Sequence, residues 1–451
     1  MALLKTQKES LVKSLPAGRL FFDLADRPEY THDATELIYI PDALFFAESE
    51  AEIVAAVTLC GEHSLPLIIR GAGTGYSGGA LAVEGGLLVS IERLNSIAID
   101  HERKMAVVGP GAITGDIMKA AESSGLFYPP DPASYLESTI GGNLAENAGG
   151  LRCKKYGVTR DYVLGVRGVM PDGEVIAFDH GFPFGLVDLL VGSEGTLFIF
   201  TEITLRLIDL PQPGKTIQAT FNSAVDAASV VAEVTRSGIV PCAMEFVDRD
   251  AIECANQYDP DNKIDGGAAM LLFETDGRHA DAEADAIMAI CRRYSHRLLR
   301  LADDPQEREI LWKTRRDLSH AVKQAVKTKT AEDVCVPPSR LPDLVAFVEQ
   351  LSREYSLRIN CYGHAGDGNL HVNFLGMTGS EREQHETTEG IARLFDKTLF
   401  LGGTLSGEHG IGITKKDYIS REFDPPTLAF MRRLKGIFDA RRIVNPGKIF
   451  S

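Results

Sequence analysis

The stretch Arg358-Ile-Asn-Cys-Tyr-Gly-His-Ala-Gly-Asp-Gly-Asn-Leu-His-Val-Asn-Phe374 is the part of the sequence around which the rest of the chain is best read. On both sides of Asp367-Gly368, small or aliphatic residues alternate with polar or aromatic residues. Asp-Gly is a strong hairpin signal because glycine accepts a positive φ. The stretch therefore predicts a β-hairpin. A period of two places His371 and Asn373 on one face of the second strand.

Two histidines flank the predicted turn. His364 closes the first strand and His371 opens the second, so a tight turn can bring both imidazoles to one ion. Neutral imidazoles suit zinc, iron or manganese better than calcium. Glu408, in the glycine-rich stretch 402–412, is the candidate third ligand, and its neighbour His409 is the candidate base. Histidine pairs at this spacing also occur in structural roles; the glycine pattern and the Glu-His pair favour the metal site.

The bulk composition excludes several classes of protein. With 451 residues the chain is long enough for two or three domains. A net charge of −16 argues against a nucleic-acid binder. No run approaches the roughly 20 apolar residues of a membrane span, and residues 1–14 lack the apolar core of a secretory signal. Seven cysteines without a C-x-x-C motif indicate reduced thiols. We expect a cytoplasmic protein, with peripheral association with the inner membrane left open.

Periodicity and turn signals predict alternating helices and strands. We expect a helix that opens at 41–44 with Asp42 as its cap. Further helices are expected over 48–57, 116–124, 223–237, 281–294, 311–319, 341–356 and 381–400 and from residue 425, and strands over 65–69, 86–91, 198–207, 216–222, 241–247 and 268–274. The strand–helix alternation after the prolines at 211 and 213 suggests an α/β cap domain.

A glycine-rich loop follows the strand predicted at 65–69. Arg70-Gly-Ala-Gly-Thr-Gly-Tyr-Ser-Gly-Gly79 holds five glycines in ten residues, and such a backbone nest can bind pyrophosphate. No Gly-Lys-Ser/Thr follows, so it is not a P-loop. It also fits the dinucleotide fingerprint poorly, because residues 86–91 read as another strand. A structural turn is the alternative.

Residues 128–157 are dense in glycine, asparagine and proline. The strings are Tyr128-Pro-Pro-Asp-Pro132, Ser138-Thr-Ile-Gly-Gly-Asn143 and Asn147-Ala-Gly-Gly-Leu-Arg-Cys-Lys-Lys-Tyr-Gly157. This composition indicates close backbone approach to something flat or extended.

Together these strings resemble the flavin-binding domain of the vanillyl-alcohol-oxidase type. More narrowly, the chain is similar to the FAD-linked D-2-hydroxyacid dehydrogenases, the branch of D-lactate dehydrogenases, the glycolate oxidase D subunit and D-2-hydroxyglutarate dehydrogenases. The resemblance covers roughly residues 30–450. Its matching strings are Arg70 to Gly79, Pro129 to Gly157, Gly192 to Gly195, His364 to His371, Gly407 to Gly410 and Asn445 to Lys448.

The resemblance implies an α+β fold in three parts. These are a two-subdomain FAD-binding domain of PCMH type over residues 1–212, an α/β cap or substrate domain over 213–404, and a C-terminal segment over 405–451. The last segment carries Glu408 and His409 and packs back on the FAD domain.

FAD is the cofactor that the resemblance implies, with its diphosphate on the first glycine loop. We expect it to be non-covalent, because Thr74 stands in that loop and no histidine does; a thioether to Cys153 is the alternative. The implied cofactor residues are Arg70, Gly71, Ala72, Gly73, Thr74, Gly75, Ser77, Gly78, Pro130, Ser138, Thr139, Gly141, Gly142, Asn147, Gly149, Gly150, Tyr156, Gly157, Glu194, Gly195, Ile199 and Asn445.

The helix expected at 311–319 carries the substrate-binding candidates. The resemblance implies that Arg315 grips the substrate carboxylate, with Arg316 as the fallback and a surface arginine as the alternative interpretation. Ser319 lies one turn further on the same face. Hydroxyglutarate members tend to carry a lysine where this chain has Ala331, which favours a monocarboxylate, although Lys327 and Lys329 are near.

The expected reaction is oxidation of a D-2-hydroxy acid to the 2-oxo acid, with hydride passing to the flavin. A divalent metal, zinc first and iron or manganese as alternatives, would polarise the hydroxyl. His409 would take the proton and Asn373 would orient the substrate or the metal shell. The competing interpretations are a D-2-hydroxyglutarate dehydrogenase, a metal-independent flavin oxidase and an electron-transfer subunit of a glycolate oxidase complex. The electron acceptor stays open among a quinone, a cytochrome, an electron-transfer flavoprotein and an iron–sulfur partner subunit, and a homodimer is compatible with the sequence.

Overall fold

The computed structural model of this protein describes residues 3–179, 185–264, 267–302 and 304–450. The strands are β1 (Leu20–Phe21), β2 (Ala43–Phe46), β3 (Leu67–Arg70), β4 (Leu87–Ser90), β5 (Ile97–Asp100), β6 (Met105–Val108), β7 (Leu126–Phe127), β8 (Val163–Val169), β9 (Val175–Asp179), β10 (Ile199–Arg206), β11 (Ile208–Asp209), β12 (Thr216–Phe221), β13 (Ala243–Asp248), β14 (Ala269–Glu274), β15 (His296–Ala302), β16 (Thr328–Cys335), β17 (Arg358–Gly363) and β18 (Asn369–Gly376). The helices are α1 (Lys5–Ser14), α2 (Glu50–His63), α3 (Thr114–Ser123), α4 (Ile140–Glu146), α5 (Cys153–Tyr156), α6 (Leu186–Leu190), α7 (Ala224–Arg236), α8 (Arg249–Tyr258), α9 (Ala280–Cys291), α10 (Pro305–Gln324), α11 (Leu341–Glu354), α12 (Glu381–Phe400), α13 (Ile419–Glu422) and α14 (Pro425–Phe438).

The chain divides into two compact units. Unit 1 comprises Met1–Gly149, Val158–Leu210 and Glu408–Ser451, and unit 2 comprises Gly150–Gly157 and Pro211–Gly407. The chain passes from unit 1 to unit 2 after Leu210 and returns to unit 1 at Glu408. The short segment Gly150–Gly157, expected in the FAD-binding domain, belongs to unit 2.

Unit 1 contains a four-stranded sheet of order β1-β2-β4-β3, in which β2 and β3 run parallel to β4. It packs with α2 into a core that also takes in Ile443 and Val444 near the C-terminus. A second sheet of order β5-β6-β10-β8-β9 is antiparallel throughout.

The helix expected at 41–44 is wrong. Those residues lead into β2, of which all four residues are buried. A short apolar run that is buried on both faces is typical of a strand with parallel pairing, and it has no periodicity that separates it from a helix. Asp42 accepts a hydrogen bond from the Gly86 amide at 2.7 Å instead of capping a helix. The neighbouring helix begins later, where the Ser49 side chain accepts from the Glu52 amide.

Unit 2 is built on a seven-stranded sheet of order β15-β12-β14-β13-β17-β18-β16. All of its pairings are antiparallel among the described residues. The predicted hairpin is confirmed: β17 and β18 pair across a turn in which Gly368 has a φ of +88°. The edge strand β16 was not expected from the sequence.

The two faces of this sheet are covered by different helices. Val247, Tyr362 and Leu375 face a core that includes residues of α8 and α10. Helices α11 and α12 contact β17 and β18, respectively. The residues of these strands that alternate with Tyr362 and Leu375 are buried. Among the described residues no helix combines the length and the apolar character that a membrane crossing requires.

Candidate active site

One face of the unit 2 sheet collects the polar side chains of the hairpin. In the register of β17 and β18, Asn360 lies opposite Asn373 and Tyr362 opposite His371. Residues opposite each other in an antiparallel pair point to the same side. The Asn373 amide accordingly donates to Asn360 Oδ1 at 2.8 Å, and both asparagines are fully buried. The shared face expected for His371 and Asn373 is confirmed.

The two histidines of the hairpin lie side by side. Their ring centroids are 5.5 Å apart and their planes are almost perpendicular, at 87°. His364 is buried, and its Nδ1 lies 2.9 Å from Glu245 Oε1. A carboxylate on one ring nitrogen fixes the imidazole tautomer and turns the other nitrogen, Nε2, into the ligand atom.

Glu245 is the site residue that sequence reasoning missed. It lies on β13 with no solvent exposure, and its Oε2 accepts from Arg315 Nε at 2.7 Å. Arg315 Nη2 is 2.6 Å from the same oxygen. One signal could have found it: a glutamate in the middle of an apolar strand must be paired when it is buried. The sequence could not say with which residue.

Arg315 and Ser319 lie together on α10, as their spacing predicted. The Arg315 guanidinium lies 5.3 Å from the centre of the Tyr362 ring. Burial raises the pKa of the Tyr362 phenol, while Arg315, Ser319 and Asn373 lower it, so these side chains form one cluster. Ser319 Oγ also accepts from Lys329 Nζ at 2.9 Å.

Strand β16 adds residues to the same face. Its Asp333 lies opposite His371 and its Ala331 opposite Asn373. Asp333 is fully buried, and Ser406 Oγ is 3.4 Å from each of its carboxylate oxygens. The residue after Ser406, Gly407, is held against Asn369, where a Cβ atom would overlap the asparagine side chain.

Glu408 follows Gly407 through one peptide bond. His364, His371 and Glu408 each offer one ligand atom, and these atoms all lie within 4.8 Å of one another. Two imidazole nitrogens and one carboxylate oxygen suit zinc, iron or manganese. The carboxylate of Glu245 behind His364 is the outer partner that metal-bound histidines usually have. The residues therefore fit a divalent cation.

Unit 1 holds the first glycine loop, which follows β3. Gly73 and Gly78 have φ values of +72° and +81°. A Cβ atom on Gly71 would overlap Thr139 Oγ1, and one on Gly73 would overlap the Arg70 guanidinium. Backbone therefore lies close to the start of α4, where the Thr139 side chain accepts from the Gly142 amide at 3.4 Å.

Buried polar atoms in unit 1 fit a polar ligand at these loops. The hydroxyls of Ser77, Ser138 and Ser193 are buried and have no hydrogen-bond partner among the described residues. Arg70 is buried, donates to the Glu29 carbonyl at 2.7 Å and keeps Nη1 unpartnered within the same part of the chain. Buried polar groups normally have partners, so these donors fit the phosphates or sugar of a nucleotide cofactor.

The C-terminal string returns to the glycine loop. Asn445 Nδ2 donates to the carbonyls of Gly79 and Glu194, at 3.3 and 3.1 Å. Glu194 accepts from the amides of Ile411 and Gly412 at 2.8 and 2.6 Å. Burial raises the pKa of Glu194, and these two amides lower it. Glu194 and Asn445, both predicted to contact the cofactor, thus hydrogen-bond to backbone groups of the glycine loop and of residues 194, 411 and 412.

The other predicted cofactor residues differ in their burial and in the unit to which they belong. Pro130, Gly141, Gly149 and Gly150 are buried, and Ala72 is exposed. Within unit 1, Thr74 and Gly75 continue the glycine loop, Asn147 Oδ1 accepts from the Arg160 amide at 2.9 Å, and Gly195 has a φ of +62°. Tyr156 and Gly157 lie in unit 2 with Gly150, and the Tyr156 hydroxyl donates to Asp276 at 2.5 Å.

Ile199 and His409 have contrasting surroundings within unit 1. Ile199 belongs to the apolar core, so its side chain packs there rather than in the polar loops. His409 lies in the loop that follows Glu408, and its ring rests on that of Tyr76.

Comparison with known proteins identifies two family matches along the chain. The family profile described as FAD binding domain matches residues 41–179, and that described as FAD linked oxidases, C-terminal domain, matches residues 210–449. The glycolate oxidase subunit GlcD of Bacillus subtilis is 37% identical over 99% of this chain and 97% of its own length. A D-lactate dehydrogenase of Anaerostipes hadrus is 32% identical over 93% of this chain and 92% of its own.

Solved structures share the fold at low identity. p-Cresol methylhydroxylase aligns with a TM-score of 0.82 at 14% identity, over 99% of this chain and 97% of its own. Alkyldihydroxyacetonephosphate synthase aligns with a TM-score of 0.76 at 18% identity, over 99% of this chain and 86% of its own. At these identities the likeness concerns the fold alone, and it confirms the expected FAD-binding architecture. By sequence, this chain is an FAD-binding oxidoreductase and belongs to the FAD-linked oxidase family.

Proposed function

We propose that this enzyme oxidises a D-2-hydroxy acid to the 2-oxo acid, with a monocarboxylate such as D-lactate or glycolate favoured. Relatives that match nearly the whole chain are called glycolate oxidase subunit and D-lactate dehydrogenase. The observation that carries the proposal is the convergence of Arg315, His364 and His371 on one polar face, on which Arg315 and His364 are buried. Such a face offers an arginine for the carboxylate of a 2-hydroxy acid beside a candidate metal site for its hydroxyl.

Arg315 binds the substrate carboxylate in this proposal. A guanidinium has five N–H donors, and Glu245 engages the edge formed by Nε and Nη2. The remaining donors can hold a carboxylate in a paired, charge-assisted geometry. The buried setting supports this role, because charge-assisted hydrogen bonds are stronger where water is excluded.

His364, His371 and Glu408 hold a divalent cation in this proposal. A cation there supplies a Lewis acid for the substrate hydroxyl. Glu245 fixes the ring of His364 through Nδ1, at 2.9 Å, so that its Nε2 is directed to the cation.

His409 takes the hydroxyl proton in this proposal. The C2–H bond breaks with its electron pair leaving as hydride, the O–H bond breaks with its proton going to the imidazole, and the carbonyl of the 2-oxo acid forms. FAD, when bound, supplies the acceptor for the hydride. Histidine is the side chain that most often serves as a general base in enzymes. Asn373, fixed by Asn360 at 2.8 Å, orients the substrate or the metal shell.

Anaerobic reduction of the bound flavin tests the proposal. The visible absorbance of the oxidised flavin should bleach with D-lactate or glycolate and stay with L-lactate. Dialysis against a chelator should abolish the bleaching, and added zinc or manganese should restore it. Bleaching by none of the hydroxy acids in the metal-loaded protein, or bleaching that chelation leaves unchanged, would contradict it.

A dicarboxylate substrate is the second candidate. Lys329 lies on the same face as Ala331 and its ammonium group donates to Ser319, so this face carries a cation close to the proposed substrate site. A D-2-hydroxy dicarboxylate such as D-2-hydroxyglutarate would use it for the distal carboxylate. The substitution Lys329→Met should then raise KM for the dicarboxylate and leave KM for D-lactate unchanged. Lys327→Met is the control, because Lys327 donates to the Thr378 carbonyl at the exposed end of β16.

A further inference from the structure

We propose that Glu245 is a positioning residue that couples the affinity of the metal site to the binding of the substrate carboxylate. The inference rests on the proposed function and extends it. One oxygen of this carboxylate faces the metal ligand His364 at 2.9 Å, and the other faces the substrate-binding Arg315 at 2.6 and 2.7 Å. A single side chain therefore touches both halves of the site.

Burial makes the two contacts of Glu245 depend on each other. The side chain has no solvent exposure, and that of Arg315 is 6% exposed, so neither charge is stabilised by bulk water. Removing one partner of such a pair leaves an uncompensated buried charge, which is strongly unfavourable. The carboxylate must consequently keep Arg315 within reach whether or not His364 holds a cation.

The backbone fixes Glu245 with respect to His364. In the pairing of β13 with β17, Phe246 lies opposite Gly363 and Val247 opposite Tyr362. Glu245 and His364 are the next residues outward from this pair, on the strands that the register joins. The Glu245 carboxylate can thus adjust only through its own side-chain torsions.

Arg315 is fixed from the other side. Its guanidinium lies over the Tyr362 ring at 5.3 Å, which limits the planes it can adopt. When His364 binds a cation, the Nδ1–H becomes a stronger donor and its bond to Glu245 strengthens. The charge that Glu245 offers to Arg315 then falls, and Arg315 gains affinity for a second carboxylate. Metal and substrate should accordingly favour each other's binding.

The alternative is a purely structural ion pair between Glu245 and Arg315. Such a pair would hold α10 on β13 and have no effect on the metal. The two readings differ in what the arginine does to metal retention, because Arg315 does not itself touch the cation in either.

Metal retention measured without turnover separates these readings. The purified FAD-loaded protein and its variants are dialysed against graded chelator, and bound zinc or manganese is counted per flavin. Glu245→Gln should lower metal affinity by about 10- to 100-fold and also raise KM for the hydroxy acid. Arg315→Lys keeps the positive charge but loses the paired contact. Because Arg315 and the metal-bound His364 compete for the charge of Glu245, this variant should hold the metal more tightly, by several-fold.

Glu386→Gln is the matched control. Glu386 is a buried glutamate of the same unit that accepts from Ser356 with one oxygen and from Arg382 with the other. Its substitution should leave metal retention and KM unchanged.

Two outcomes would overturn the proposal. Metal retention in Glu245→Gln equal to that in Glu386→Gln would remove Glu245 from the metal site. Normal retention in Arg315→Lys with a raised KM would leave a structural ion pair. If Glu245→Gln does not fold, Arg315→Lys decides alone. Failure of the hydroxy acid to bleach the flavin would contradict the proposed function. The retention assay would still show whether Glu245 affects metal binding.

Discussion

The imidazole of His409 lies face to face with the phenol ring of Tyr76, with ring centroids 4.8 Å apart and planes inclined by 24°. Tyr76 belongs to the first glycine loop, and the Ile413 amide donates to the carbonyl of the next loop residue, Ser77, at 2.8 Å. A Cβ atom on Gly412 would overlap that same carbonyl. The segment that carries the proposed base is therefore docked on the loop that is proposed to hold the flavin diphosphate.

The stacked ring predicts that Tyr76 orients His409. An aromatic pair is worth about 0.5 to 1.5 kcal/mol, which corresponds to about 2- to 10-fold in rate if the orientation is used in the transition state. Tyr76→Ala should lower kcat for the hydroxy acid by about that factor with little change in KM. Tyr76→Phe keeps the ring and should restore kcat. Equal loss in both variants would point to the hydroxyl, and no loss in either would show that the stacking has no catalytic role.

His409 itself should be dispensable for cofactor binding and not for turnover. General-base help is typically worth about 10² to 10⁴ in rate. His409→Ala should keep its flavin and its metal, measured by absorbance and by metal analysis, and lose turnover by at least that margin. Near-normal turnover would remove His409 from the role of base.

Substitution of Glu408, the neighbour of His409, should affect metal binding, which substitution of His409 should not. It supplies one of three ligand atoms that lie within 4.8 Å of one another. Two remaining imidazoles rarely suffice for a divalent cation, so Glu408→Ala should lose metal and activity together while the flavin stays bound. Full metal occupancy in this variant would show that the ligand set is wrong.

The hairpin and its histidines were predictable because the information is local. The period of two and the Asp-Gly turn fix the register of β17 and β18, and the register fixes which side chains share a face. The partners of Glu245 were not predictable, since it lies 119 residues from His364 and 70 from Arg315 in the sequence. Strand alternation tells which side a residue faces but not which strand becomes its neighbour.

Strand β2 and helix α4 show two other limits. Four apolar residues at 43–46 are too few to separate a buried strand from the start of a helix. Helix α4 lies within a stretch rich in glycine and asparagine, residues of low helix propensity, and it forms with Thr139 as its cap. Both elements depend on tertiary contacts, which composition and local pattern do not reveal.

Lys448 predicts how the stability of unit 1 depends on pH. Its ammonium group is buried and donates to the Gly79 carbonyl and to Asn445 Oδ1. Burial lowers the pKa of Lys448 to about 7, while Asp33, Glu146 and Glu194 act to raise it. In the unfolded chain the pKa of a lysine is about 10.4. Between these two values the unfolded state binds more protons than the folded state, so stability rises with pH across that window.

Comparison of the wild type with Lys448→Met isolates this group. Below about pH 7 the lysine is protonated in both states, and the difference in unfolding free energy between the two proteins should be constant. From pH 7 to 10 the difference should shift in favour of the wild type, by at most about 1.4 kcal/mol per pH unit. Urea unfolding at pH 6, 7, 8 and 9 measures it. Lys119→Met, at an exposed position of α3, serves as the control and should show no such shift. Parallel curves for the wild type and Lys448→Met over the whole range would mean that Lys448 stays charged when the chain folds.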